Sequence, residues 1–174
     1  MSEKKITRIE GGVTAAEGFE AAAAAAGIKY QGRDDMALIY SGIPCRAAGT
    51  FTTNVVKAAP VKWDQKIVAE APYVQAVVVN SGIANACTGA EGYGYCKETA
   101  EEAAKVLGVP ETAVLVASTG VIGMQLPMEK SVLPHIFTFE KKRIEWLKLG
   151  ELIKADDPSP FPALTQIEVY GSDI

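Results

Sequence analysis

Apolar residues along this chain fall into short runs separated by glycine and small polar clusters. Met36–Tyr40, an apolar run after Asp34-Asp35, predicts a strand. Thr50–Thr53 is β-branched and aromatic and predicts another. Val74–Val79 is rich in valine and stops at Asn80-Ser81-Gly82, the pattern of a strand ended by a turn. Ala113–Ala117 repeats that arrangement and stops at Ser118-Thr119-Gly120. Between them, Glu91–Leu107 carries Ala100, Ala103, Ala104 and Leu107 at helical spacing, with Glu98, Glu101 and Glu102 elsewhere. Gly108 is a natural C-cap and Pro110 a natural stop. The six alanines at 21–26 predict a short helix ended by Gly27. Alternating elements of this kind predict an α/β fold.

The pattern changes near Ser131. Residues 1–130 contain 24 alanines and 14 glycines, whereas residues 131–174 contain two of each. The last 44 residues hold Phe137, Phe139, Trp146, Phe161 and Tyr170 and four of the nine prolines. Glu140–Lys154 predicts a helix, which Asp156-Asp157-Pro158 breaks. Leu164–Tyr170 alternates loosely, as an edge strand would. We therefore expect two regions, residues 1–130 and a divergent C-terminal tail at 131–174.

Composition narrows the function classes. The chain is 48% hydrophobic and 22% charged, the balance of a globular protein. Its net charge is −4 and no basic patch dominates, so nucleic acid is not an expected partner. No apolar stretch approaches the roughly 18 residues of a membrane span, and none follows Lys4, Lys5 and Arg8 as a secretory signal requires. Cys45, Cys87 and Cys96 form no CxxC pair, and an odd count suits a reducing cytoplasm. His135 is the only histidine, so a Cys/His metal cluster is not expected.

Three segments could carry chemistry. The loop from Asn80 to Gly89 is dense in small polar residues and could line a small-molecule pocket or be a plain strand–helix connection. Ser118-Thr119-Gly120 follows a strand, where α/β ligand sites form. A hydroxyl beside a glycine N–H provides two donors that can converge on one oxygen, as an oxyanion hole requires. Ser118 could instead be a nucleophile with His135 as its base, although no GxSxG elbow surrounds it. Gly89–Gly94 lacks both GxGxxG and the Walker lysine and reads as a flexible lead-in to the helix. Cys87 and Cys96 are expected to be buried or inert.

Four blocks together carry a family resemblance. They are Val13-Thr14-Ala15-Ala16-Glu17-Gly18-Phe19, Phe51-Thr52-Thr53-Asn54 through Val61, Val78-Val79-Asn80-Ser81-Gly82 through Gly89, and Val116-Ala117-Ser118-Thr119-Gly120 through Met128. In order and spacing this stretch, about residue 7 to about 130, resembles the ornithine acetyltransferases, also called bifunctional glutamate N-acetyltransferases of arginine biosynthesis. The resemblance implies a layered sandwich of mixed β-sheet and helices, half of a two-chain fold. It implies a precursor roughly twice this length that cuts itself at an Ala-Thr bond into α and β chains. The freed threonine of the β chain is the nucleophile, activated by its own amine. It carries acetyl from N-acetylornithine to glutamate, and bifunctional members also accept acetyl-CoA as donor; no other cofactor is implied. The family's oxyanion pair falls on Thr119 and Gly120.

The departures from the family pattern shape a second expectation. Ile83 stands where the family has asparagine. Neither the later Met-Thr-Thr-Asp segment nor an Ala-Thr-Met-Leu cut site occurs here, and Ala163-Leu164-Thr165 is not that site. The tail reads as a frameshifted, truncated or replaced C-terminus. The chain alone is expected to be inactive and to need a β-like partner chain. The alternatives are a non-catalytic fragment or subunit that binds such a partner, and a small hydrolase using Ser118 or Cys87.

Overall fold

A computed structural model describes residues 10–131 of the chain. The helix expected at 140–154, the strand expected at 164–170 and His135 lie outside the described residues.

Among the described residues four strands form one mixed sheet in chain order: β1 (Phe19–Ala24), β2 (Met36–Cys45), β3 (Val74–Ile83) and β4 (Val114–Val121). β1 and β2 run antiparallel, with Phe19 opposite Ser41 and Ala24 opposite Met36. β2 and β3 are also antiparallel, in register from Met36/Asn80 to Tyr40/Ala76, with an irregularity before Cys45/Val74. β3 and β4 are parallel, from Ala76/Val114 to Ile83/Val121. A parallel pair needs a crossover connection, and the helix α2 (Gly89–Leu107) supplies it. A second helix, α1 (Ala59–Glu70), connects β2 to β3, and a short turn, α3 (Met128–Ser131), follows β4. This is the mixed-sheet α/β architecture expected from the sequence.

Strand periodicity sets the core. Val74, Ala76, Val78 and Asn80 are buried, and their register partners Leu38, Met36, Val114 and Val116 are buried with them. α2 lays Gly92, Cys96, Ala100, Ala103 and Ala104 into the interior. This stripe of small side chains lets the helix sit close to β3 and β4. The helix ends at Gly108, whose φ of 69° is the left-handed C-cap expected there.

Several elements differ from expectation. The alanines at 21–26 do not form a helix; Ala21–Ala24 belong to β1. Six alanines are too few to nucleate a stable helix alone, whereas β2 offers a ready ladder of partners. Thr50–Thr53 is a loop, not a strand. Thr52 Oγ1 accepts the Asn54 N–H at 3.2 Å, and Asn54 Oδ1 accepts the Val56 N–H at 2.9 Å, local side-chain turns that compete with extension into a strand. Both expected strand-ending turns are strand: β3 runs on through Asn80-Ser81-Gly82 and β4 through Ser118-Thr119-Gly120. The Gly89–Gly94 lead-in is already helical. The α1 helix carries no expectation from the sequence. Pro60 at its start is compatible with the first turn, where no N–H is required.

α1 also finishes the sheet. Among the described residues β4 is an edge strand, with no strand on its outer side. The Trp63 indole N–H donates to the Val114 carbonyl at 2.9 Å, and Asp64 Oδ1 accepts the Val116 N–H at 2.9 Å. Two side chains of one helix turn thus stand in for a fifth strand.

Candidate functional site

The register of the parallel pair brings the two chemistry-bearing segments side by side. Asn80, Ser81 and Gly82 lie opposite Ser118, Thr119 and Gly120, residue for residue. This is the C-terminal end of two parallel strands, where open α/β sheets place their ligands. Thr119 and Gly120 are exposed there. The Thr119 hydroxyl makes no hydrogen bond within the described residues, so it is free to donate to a bound oxygen. Gly120 is fixed by contact: a Cβ at this position would lie 2.2 Å from the Gly82 carbonyl carbon and 2.4 Å from its oxygen. Its φ of +133° adds a second reason for glycine.

Three loops frame that end. Ala84 N–H donates to the Val121 carbonyl at 2.9 Å, and Gly123 N–H donates to the Ala86 carbonyl at 2.8 Å. Gln125 Nε2 reaches the Thr88 carbonyl at 3.0 Å and Glu91 at 3.1 Å. Asn85, wholly buried at a φ of +47°, ties the loop after β3 to both helices. Its carbonyl accepts the Ala59 N–H at the start of α1, its Nδ2 donates to the Gly92 carbonyl at 2.8 Å, and its Oδ1 accepts from Thr88 at 2.7 Å. A Cβ at Gly92 would stand 2.0 Å from Thr88 Oγ1, so this helix start is glycine by necessity. The Asn80–Gly89 segment is therefore more than a flexible connection. Its interior residues hold the loop in one shape. Asn80 joins in, donating from Nδ2 to the Ile83 carbonyl at 2.9 Å.

The loop between β1 and β2 closes on the same place. Asp35 is buried and its carboxylate accepts the amides of Ala26, Gly27 and Ile28 at 2.7, 3.2 and 2.7 Å. Its carbonyl accepts the Ser81 N–H at 2.8 Å. Lys29 is thereby pressed on Gly82, where a Cβ would meet Lys29 Cβ at 2.9 Å. Sequence reasoning did not single out Lys29 or Asp35, and it took Asn85 only as one residue of the Asn80–Gly89 segment. No motif marks Lys29 or Asp35, because their importance comes from where the loop between β1 and β2 meets Ser81 and Gly82 of β3.

The other candidates are placed as follows. Ser118 Oγ is buried without a hydrogen-bond partner, and no base stands beside it among the described residues. Cys96 is fully buried, and burial with the nearby Asp64 charge pushes its thiol far above the ordinary range, so it stays protonated. Cys87, by contrast, is exposed, at a φ of +57°. Burial pushes the Asp64 carboxyl up to about 7, against the opposing pull of the Val116 N–H. Among the described residues no three His, Cys, Asp or Glu side chains converge as metal ligands, and no helix is long and apolar enough to cross a membrane.

Comparison with known proteins bears on this arrangement. The model of the ArgJ family matches residues 20–149. That match continues past Lys130, beyond the end expected from the motif blocks. The arginine biosynthesis bifunctional protein ArgJ of Gloeobacter violaceus is 53% identical over 122 residues, 70% of this chain and 30% of the relative. That of Symbiobacterium thermophilum is 52% identical over 169 residues, 95% of this chain and 42% of the relative. The chain spans less than half the length of these curated relatives. The crystal structure of ArgJ from Bacillus halodurans superposes with a TM-score of 0.71 at 39% identity, covering 76% of this chain and 69% of that one. The ornithine acetyltransferase of Mycobacterium tuberculosis, solved with ornithine bound, gives 0.67 at 44% identity, covering 73% and 69%. With three quarters of its length matched by the family model and its sheet superposing on solved members, this chain belongs to the ArgJ family.

Proposed function

We propose that this chain supplies the oxyanion-binding part of an acetyltransferase that moves acetyl from N-acetylornithine, or from acetyl-CoA, to glutamate in arginine biosynthesis. The Thr119 hydroxyl and the Gly120 N–H are its two donors. Acetyl transfer through an acyl-enzyme passes two tetrahedral oxyanions, one for each half-reaction, and the same pair serves both. The observation that carries this reading is the exposed Thr119, whose hydroxyl makes no hydrogen bond within the described residues, beside a glycine fixed against Gly82 at the open end of two parallel strands. Residues 1–130 carry this part, and the attacking threonine belongs to a β-like partner chain.

The test is acetyl transfer from N-acetylornithine to glutamate by this chain mixed with the separately produced C-terminal half of a family member. Transfer is expected only with both present, and Thr119→Ala should lower kcat by about 10²–10³. Full turnover by this chain alone would remove the partner from the proposal. An unchanged kcat in Thr119→Ala would remove the oxyanion role.

A second reading, a non-catalytic subunit, draws on the exposed Val55, Val56, Ile122 and Met124. It expects the mixed chains to associate without any Thr119-dependent turnover.

A further inference from the structure

The loop between β1 and β2, which packs on Gly82 through Lys29, carries two cations. Lys29 Nζ lies 4.9 Å from the Tyr30 ring centroid, and Arg33 Cζ lies 4.1 Å from the same centroid. Both cations gather on one exposed tyrosine. Lys29, by hydrogen bond and by charge, holds the Tyr30 hydroxyl below the ordinary phenol range, with a weaker contribution from Arg33.

Two features distinguish this cluster from ordinary solvated lysines and arginines. First, neither cation is neutralised. The ion pairs among the described residues, Lys97–Glu101 and Lys105–Glu102, both lie on α2. Asp34, adjacent to Arg33, makes no ion pair with either cation among the described residues, and the next carboxylate, Asp35, is already engaged with three backbone amides. Second, the loop is held rather than free. Asp35 fixes its first turn and bonds Ser81 through its carbonyl, and Lys29 Cβ packs on Gly82. Gly82 is in turn the backbone on which Gly120 rests. The positive charge is thus anchored to the strand pair that presents Thr119 and Gly120.

We infer that Lys29, Tyr30 and Arg33 form an anion subsite that grips a carboxylate or phosphate group of a reactant while its acyl carbon lies at Thr119 and Gly120. Two uncompensated cations on a fixed loop suit an oxyanion group at the far end of a ligand. The Tyr30 hydroxyl adds a donor beside them. This inference rests on the acetyltransferase reading for what the ligand is, but not for the binding itself. Two reactants could provide the group: the carboxylate of an acetylated amino acid, or the phosphates of coenzyme A.

Direct binding separates these sources. The full chain is titrated by calorimetry with coenzyme A and, separately, with N-acetylornithine, beside the K29Q/R33Q variant. Glutamine keeps the Cβ that packs on Gly82, and both positions are exposed, so the melting temperature of the variant is expected to match the parent. The variant should bind one probe at least about tenfold more weakly, and parental binding of that probe should weaken with added salt. Loss confined to coenzyme A assigns the subsite to phosphate, and loss confined to N-acetylornithine assigns it to carboxylate. Equal binding by variant and parent, or no binding of either probe to the parent, overturns the inference. Absence of acetyl transfer in the mixed-chain assay, with the charge-dependent binding intact, would sink the acetyltransferase reading and leave the subsite standing.

Discussion

At the scale of single residues, Thr119 and Gly120 do different jobs, and substitution should separate them. Thr119 is exposed and its hydroxyl makes no hydrogen bond within the described residues, so removing that hydroxyl costs the fold little. Gly120 sits where a Cβ would fall 2.2 Å from the Gly82 carbonyl carbon, at a φ that side chains rarely adopt. Gly120→Ala must push β3 and β4 apart at the site end, a cost of about 2 kcal/mol or more. Thr119→Ala should stay within about 0.5 kcal/mol of the parent. Urea melts of the two variants check this contrast, and equal midpoints would contradict the close approach of the two glycine backbones. Both residues could be read from the sequence as a hydroxyl–glycine pair after a strand. The reason Gly120 must be glycine could not, because the neighbour it would strike is Gly82, on another strand.

At the scale of elements, legibility followed whether an element's partners were local. α2 announced itself through its own periodicity, since Ala100, Ala103 and Ala104 mark one face within the helix. The alanines of β1 misled, because their strand conformation is imposed by β2 and not by their own preference. Asn80-Ser81-Gly82 and Ser118-Thr119-Gly120 read as turns singly, yet each gives the other a ladder. α1 was silent for a related reason: two of its key side chains, Trp63 and Asp64, serve the edge of β4. Asp64 makes that brace sensitive to pH. Its carboxyl ionises near 7 in the fold and near 3.8 in the free side chain. Between those values the folded chain keeps a proton that the unfolded chain releases. The contribution of Asp64 to stability therefore falls as pH rises from about 4 to about 7, and above that the full cost of a buried charge remains, on the order of 3–4 kcal/mol. Asp64→Asn keeps an oxygen for the Val116 N–H without the charge. It should be more stable than the parent at pH 8 by about 1 kcal/mol or more, with the gap closing towards pH 5. Thermal melts across that range measure it; parallel curves for the two proteins would exclude Asp64 as the titrating group.

At the scale of the whole molecule, four of the exposed large apolar side chains lie in two segments that lead to and from the site end, whereas Ile43 and Val106 lie on other elements. Singly exposed hydrophobics are ordinary on a protein surface. Here Val55 is 95% exposed and Val56 66%, in the loop that leads into α1, while Ile122 is 63% exposed and Met124 45%, just beyond Gly120. The bonds from Ala59 to Asn85, Ala84 to Val121 and Gly123 to Ala86 gather these loops round the C-terminal ends of β3 and β4. A reaction through an oxyanion needs a site from which water is excluded, since hydrogen bonds to developing charge are stronger there. An open strand end with an exposed Thr119 does not exclude water, but a partner seated on Val55, Val56, Ile122 and Met124 would. The partner proposed above is the β-like chain, whose threonine would then arrive at Thr119 and Gly120, the proposed oxyanion donors. Hydrogen exchange of this chain with and without the C-terminal half of a family member provides the readout. Amides at 54–57 and 119–124 should slow on mixing, whereas those of α2 at 97–107, remote from that end, should not change. Binding that leaves 54–57 and 119–124 unprotected would place the partner elsewhere and would separate Thr119 and Gly120 from the threonine proposed to use them.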